Sequence, residues 1–171
     1  MGSKANIKAN IVVVPFEDKH IPELWNIVSQ LKGFFADDLV IDNIEKFIYY
    51  IYNEVTDVLV ALRGSEVVGC AYLEELEIHK GFACIGLFTK RRSITPDEMV
   101  EIAELNIPYW FKAHNLNMLF FVTRADNRAL IRLAGKLGFS GEQSLPNHAK
   151  IKGELTDYKL YGLLKKKLEG I

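Results

Sequence analysis

The sequence predicts an α/β protein built on one mixed sheet, and three observations carry that expectation. Met118–Val122 is apolar at every position, as a strand covered on both faces should be, and an amphipathic helical pattern follows it. Between residues 58 and 88 three apolar runs are separated only by short turns, the pattern of antiparallel strands joined as hairpins. Thr95-Pro96-Asp97-Glu98 is a helix start, with Thr95 and Glu98 spaced as a capping box and Pro96 at the first helical position. The predicted order is β-α-α-β-β-β-α-β-α-β-β, with helices on both faces of the sheet and a single domain over residues 1–171.

Each element has its own signal. Ile11–Val14 is a β-branched run ended by Pro15, hence a strand. Asp18–Leu31 reads as a helix with Pro22 in its first turn, Leu24, Ile27, Val28 and Leu31 on one face, and Gly33 as its stop. Phe34–Asp38 is a loop with two aromatics and two carboxylates. Ile41–Tyr52 is a second helix whose aromatics, Phe47, Tyr49, Tyr50 and Tyr52, cannot all face one side. Their excess suggests a surface that meets a ligand or partner. Strands follow at Val58–Leu62, Val67–Leu76 and Phe82–Phe88, with turns at Arg63–Glu66 and Lys80-Gly81. The helix from Thr95 carries Pro108, which is expected to kink it. After the Met118–Val122 strand, Asp126 or Asn127 can cap a helix through Leu137, and Gly138 supplies its left-handed exit. Two last strands fall near Glu142–Ile151 and Asp157–Leu164.

Composition bounds the function. Half the chain is apolar and a quarter charged, an ordinary globular mixture with enough apolar residues for one core. A net charge of −1 gives no footprint for nucleic acid or membrane. Cys70 and Cys84 lie inside apolar runs and read as buried free thiols of a cytoplasmic protein; neither has metal-ligand spacing, and no metal is expected. No Gly-x-Ser-x-Gly, Walker or His-x-x-His pattern supports a hydrolase, NTPase or metalloenzyme.

Asn127-Arg128-Ala129 followed by Lys136-Leu137-Gly138-Phe139 resembles the strand–helix unit near the end of the GNAT superfamily of N-acetyltransferases. Ser140-Gly141-Glu142, a polar hairpin around Lys152-Gly153, and the segment Thr156–Lys165 are similar to the close of the branch containing ribosomal-protein N-terminal and polyamine acetyltransferases. The resemblance runs from Ile7 to Leu168. It implies the GNAT acyl-CoA N-acyltransferase fold, acetyl-CoA as co-substrate, and transfer to an amine of a small molecule or protein by direct attack in a ternary complex. It leaves a homodimer open.

The resemblance also distributes roles. Acetyl-CoA is expected where the fourth and fifth strands part, with backbone groups from Gly86 through Leu87, Phe88 and Thr89 along its arm; Gly86 has the equal alternative of close packing within a strand. Asn127 takes the position of an Asn that contacts CoA, with a helix cap as its alternative. The family's pyrophosphate loop is glycine-rich and places an anion at a helix N-terminus. Here, with Arg91 in the arginine position, Ile94 and Pro96 stand where the glycines belong, and Asp97 and Glu98 add negative charge. Lys90, Arg91, Arg92 and the hydroxyls of Ser93 and Thr95 are expected to compensate. A tyrosine acid of many family members is replaced by Ala134. The third strand offers Glu74, Glu75 and Glu77 where family acceptor sites often place a carboxylate; strand alternation puts Glu75 and Glu77 on one face and Glu74 on the other. Glu75 and Glu77 are the candidate bases, and Phe35, Asp37 and Tyr49 the candidate wall of the acceptor site. Asp157 matches an acidic position suited to a structural hydrogen bond. The rival reading is a GNAT-like binding or structural module that no longer binds acetyl-CoA, favoured by Ile94, Pro96 and Ala134.

Overall fold

The computed structural model describes residues 11–31 and 39–168. The chain runs β1 (Ile11–Pro15), a 3-10 turn (Asp18–His20), α1 (Ile21–Ser29), α2 (Ile44–Asn53), β2 (Thr56–Arg63), β3 (Glu66–Glu77), β4 (Phe82–Thr89) and α3 (Pro96–Ala113). It continues through β5 (Met118–Arg124), α4 (Arg128–Lys136), β6 (Ser140–Ile151), β7 (Glu154–Leu164) and a final helical turn, α5 (Lys165–Leu168). The strands form one seven-stranded sheet in the order β1-β2-β3-β4-β5-β7-β6. Among these pairings β4–β5 is parallel and the others are antiparallel.

The predicted order of elements holds, and the boundaries move for local reasons. The helix expected from Asp18 is a 3-10 turn and then α1; the Glu17 N–H donates to His20 Nδ1 at 3.0 Å and closes the turn, after which Pro22 sits in the first turn of α1. α2 starts at Ile44 because Asn43 is its cap, accepting the Lys46 N–H at 2.9 Å. α3 is helical throughout, Pro108 included. Pro108 and Glu104, whose carbonyl loses a partner to it, are both exposed, so water can serve that carbonyl.

Two cores flank the sheet. One lies under α3 and α4, where Trp110, Ile102, Leu116 and Leu119 meet Leu73 and Ala71. The other lies under α1 and α2, where Leu24, Val28 and Phe47 meet Val60, Cys70, Tyr72 and Phe88. Alternate residues of β3 serve opposite cores: Ala71 and Leu73 one, Cys70 and Tyr72 the other. A fully buried side chain such as Phe47 contributes on the order of 2 kcal/mol. Both cysteines are buried and unbridged.

Candidate active site

β4 and β5 pair at only three positions, Phe82 with Met118, Ala83 with Leu119 and Cys84 with Phe120. Beyond Cys84 they part. Each is bound along its other edge, β4 to β3 as far as Thr89 opposite Gly69, and β5 to β7 as far as Arg124 opposite Tyr158. Twist carries the two antiparallel sets apart. From Ile85 onward one set of β4 backbone groups is bonded to β3, and the alternate set faces the gap.

A carboxylate stands at the apex. Glu74 lies opposite Cys84, the last β4 residue paired with β5. On the α1/α2 side, the Tyr50 hydroxyl donates to Glu74 Oε1 and lies 3.4 Å from the Tyr72 hydroxyl. Phe88 closes this aromatic wall, its ring 5.0 Å from that of Tyr72 and 6.4 Å from that of Tyr50. Burial raises the Glu74 carboxyl above the ordinary range, and the Tyr50 hydrogen bond opposes the rise. Burial, and then the neighbouring Glu74, hold the Tyr50 hydroxyl protonated, and Tyr72 is likewise raised by burial. The Cys84 thiol is pushed up to about 12 by burial, with Glu74 adding to the effect.

The two carboxylates favoured from sequence lie elsewhere. Glu75 is exposed, and its backbone is left-handed, at φ 48°. That conformation is part of a bulge: Glu74 faces Cys84 and Glu77 faces Phe82, three residues advancing on β3 for two on β4. Glu74 and Glu77 therefore share a face, which corrects the alternation expected from an unbroken strand. Glu77 is exposed and lies 3.8 Å from Lys80. Tyr49 is 60 % exposed on the outer side of α2, whereas Tyr50 turns inward. Phe35 and Asp37 lie outside the described residues.

The donor side is mixed. A Cβ on Gly86 would stand 2.1 Å from Tyr72 Cε2, so close packing requires this glycine. Leu87 packs on the α3/α4 core and the Phe88 ring is buried on the opposite side; the alternation turns the Phe88 backbone toward β3 and leaves that of Leu87 and Thr89 for the gap. Asn127 caps α4, its Oδ1 accepting the Leu130 N–H at 3.2 Å. Arg91 and Arg92 are exposed, Arg92 with a left-handed backbone. Thr95 Oγ1 accepts the Glu98 N–H at 3.2 Å, and Glu98 Oε2 accepts the Thr95 N–H at 2.8 Å, the predicted capping box. Arg63 then binds Glu98 Oε1 through Nε at 2.9 Å and Nη2 at 2.5 Å, and the Ser93 carbonyl through Nη2 at 2.9 Å. Ala134 is buried on α4. Asp157 has the structural role expected of it, accepting the Asn147 N–H at 2.8 Å.

Sequence reasoning passed over the Tyr50–Glu74–Tyr72 group and the Arg63–Glu98 pair. The first had a faint signal: Cys70, Tyr72 and Glu74 continue one period-two series of β3. The second joins residues 35 apart with no local pattern.

A mixed sheet that divides between two parallel middle strands, with helices on both faces, defines an N-acyltransferase fold. The chain belongs to the GNAT acetyltransferase family: the model of the acetyltransferase (GNAT) domain matches residues 10–140. A curated relative, an uncharacterised N-acetyltransferase p20 of Bacillus licheniformis, is 28 % identical over 112 residues; the match spans 66 % of this chain and 63 % of the relative. Among solved structures, a spermidine N-acetyltransferase of Vibrio cholerae superposes with a TM-score of 0.80 at 15 % identity, covering 92 % of this chain and 95 % of its own. A ribosomal L7/L12 α-N-protein acetyltransferase in complex with coenzyme A gives 0.77 at 14 % identity, covering 90 % and 93 %. The ribosomal-protein-S5-alanine acetyltransferase of Vibrio fischeri gives 0.75 at 14 %, covering 90 % and 92 %.

Acetyl-CoA, which the family implies, fits this chain in one half. The unpaired β4 backbone offers the hydrogen bonds that an extended amide-containing arm needs. At the start of α3, where the family resemblance puts the diphosphate, the first turn is closed by its own Glu98 and lacks the N–H of Pro96.

Proposed function

We propose that this chain transfers an acetyl group from acetyl-CoA to an amine, on a small molecule or a protein, by direct attack within a ternary complex. The observation that supports this best is the position of Glu74 at the apex of the β4–β5 gap, against Tyr50 and Tyr72. When bound, acetyl-CoA supplies a thioester carbonyl open to attack by a neutral amine. The chain's residues supply the rest. Backbone groups of Leu87 and Thr89 hold the donor arm and stabilise negative charge on the carbonyl oxygen, while Phe88 contributes its ring to the aromatic wall. Asn127, at the start of α4, is the further donor contact. Glu74 draws an alkylammonium into the gap and takes its proton, with Tyr50 fixing the carboxylate. Its raised proton affinity brings it closer to working pH than a solvated carboxylate, so Glu74, not Glu75 or Glu77, is the proposed base. Phe35 and Asp37 remain proposed acceptor-binding residues, and Tyr49, exposed on the outer side of α2, is kept only as a rim contact.

The acceptor is cationic in this reading. The named acceptors of structural neighbours, spermidine and ribosomal proteins, also carry amines. We place the chain in the cytoplasm, acting without nucleic acid or membrane; no described helix is long and apolar enough to cross a bilayer. One observation favours a second reading, a binding module that does not transfer: the closed first turn of α3.

Titration of the purified protein with acetyl-CoA, followed by a panel of alkylamines and peptide N-termini monitored by thiol release, tests the proposal. Heat on titration and thiol release with at least one amine are expected. Absence of both at millimolar ligand overturns the enzyme reading and leaves the binding module.

A further inference from the structure

We propose that the donor site recognises the thioester arm and not the diphosphate, so that acyl-pantetheine serves this chain about as well as acyl-CoA. The inference rests on the donor gap of the proposed function and concerns which part of the donor is read.

A helix N-terminus binds anions through unused N–H groups and the positive end of its dipole. An arm lying along β4 toward Thr89 runs to the turn that opens α3. Here that end already holds an anion. The Glu98 carboxylate is folded back over the first turn with 5 % of its side chain exposed; one oxygen takes the Thr95 N–H and the other takes Arg63. The Glu98 N–H goes to Thr95 Oγ1, and Pro96 has none. A phosphate arriving would find the dipole opposed and would have to displace a buried carboxylate that already has a partly exposed counter-ion of its own.

Three cations beside this turn are engaged as well. Arg63 serves Glu98 and the Ser93 carbonyl, and stands 3.8 Å from Glu66. Lys90 is bound to Glu66. Lys136, reaching over from α4, lies 3.5 Å from Asp97. Arg91 and Arg92 are exposed, so water and salt screen their attraction for a phosphate. By contrast, the β4 backbone facing the gap is matched to the amides of a pantetheine arm and carries no charge to be screened.

The test is calorimetric titration of the full chain with CoA and with pantetheine at low and moderate salt. Dissociation constants within about threefold of each other, and insensitive to salt, are expected. CoA binding more than about thirty-fold tighter than pantetheine would overturn the inference while leaving acetyl transfer intact. Equal binding with no transfer to any amine, from acetyl-CoA or acetyl-pantetheine, would remove the transferase reading and leave this one standing. Failure of both ligands to bind removes both. Glu98→Gln, examined at a temperature where circular dichroism shows it folded, provides the converse: CoA affinity rises and pantetheine affinity does not. A fall in CoA affinity with pantetheine unchanged would show that Glu98 supports the diphosphate and would also overturn the inference.

Discussion

The ring of Tyr72 occupies the space that any side chain on Gly86 would need: an added Cβ would come within 2.1 Å of Cε2 and 2.2 Å of Cζ. The two residues face each other across β3 and β4, two residues beyond the last β4–β5 pair toward the gap. Gly86→Ala should therefore cost about 1–3 kcal/mol, because Tyr72 is buried and cannot swing clear. Denaturant unfolding reads the loss, and a double-mutant cycle with Tyr72→Ala should return a coupling energy of the same order. Additive effects would mean that the ring moves aside freely.

Glu74→Gln should lower the second-order rate of amine acetylation by roughly 10²–10⁴-fold, the range of a lost general base. Tyr50→Phe should act more mildly and shift the pH profile. The Tyr50 hydroxyl lowers the Glu74 carboxyl's proton affinity against the effect of burial, so without it the acid limb of the rate profile moves to higher pH. An unmoved limb would separate Tyr50 from the base.

Glu74 also has a stability signature. Its folded-state carboxyl is raised above 4.5, so the stability it contributes is present below that value and is lost as pH rises through the folded-state value. Glu74→Gln should be the more stable protein at neutral pH, and its advantage should vanish in acid. Thermal melts of the two proteins across pH 4–8 read the difference.

Glu98 has the opposite sign. The Thr95 N–H, and then Arg63, hold its carboxyl below 4.5 against the effect of burial. Its contribution is present above 4.5 and drains as pH falls through the lowered value. Glu98→Gln should lose about 1–3 kcal/mol at neutral pH, less than a fully buried pair would, because a third of the Arg63 side chain is exposed to screening solvent. The variant's unfolding should then be less acid-dependent than the parent's.

Asn127 can be separated into cap and contact. Asn127→Ala should cost about 1 kcal/mol as a lost helix cap, whereas Asn127→Ser, an equally good cap, should be near neutral in stability. Weaker pantetheine binding in the serine variant identifies Asn127 as a donor contact; unchanged binding leaves it as the α4 cap.

Much of this molecule was readable from local chemistry. Thr95, Pro96 and Glu98 announce the start of α3 because a cap is a contact over three residues. The apolar run from Met118 announces β5 because it is covered on both faces. What escaped is non-local or conformational. The bulge that brings Glu74 and Glu77 onto one face turns on a left-handed backbone at Glu75, where a glycine would have given warning and a glutamate does not. Tyr50 and Tyr49 are equivalent in composition, and only the packing of α2 on the sheet selects Tyr50. Arg63 reaches Glu98 because β2 passes beside the start of α3, which no spacing rule encodes.

The sheet order has a consequence for how the molecule comes into being. β1 through β4 need only their immediate neighbours for their antiparallel ladders, apart from the return from β1 to β2. β5 is different: it touches β4 at three positions and waits for β7, about forty residues further along, to cover its other edge through seven pairs. Until residues 154–164 have been made, its apolar run is an unpaired strand edge, open to a neighbouring chain. The gap between β4 and β5 takes its shape when the β6–β7 hairpin, closed by its own two-residue turn, docks along β5, so that docking should be the last pairing and should set the pace of folding.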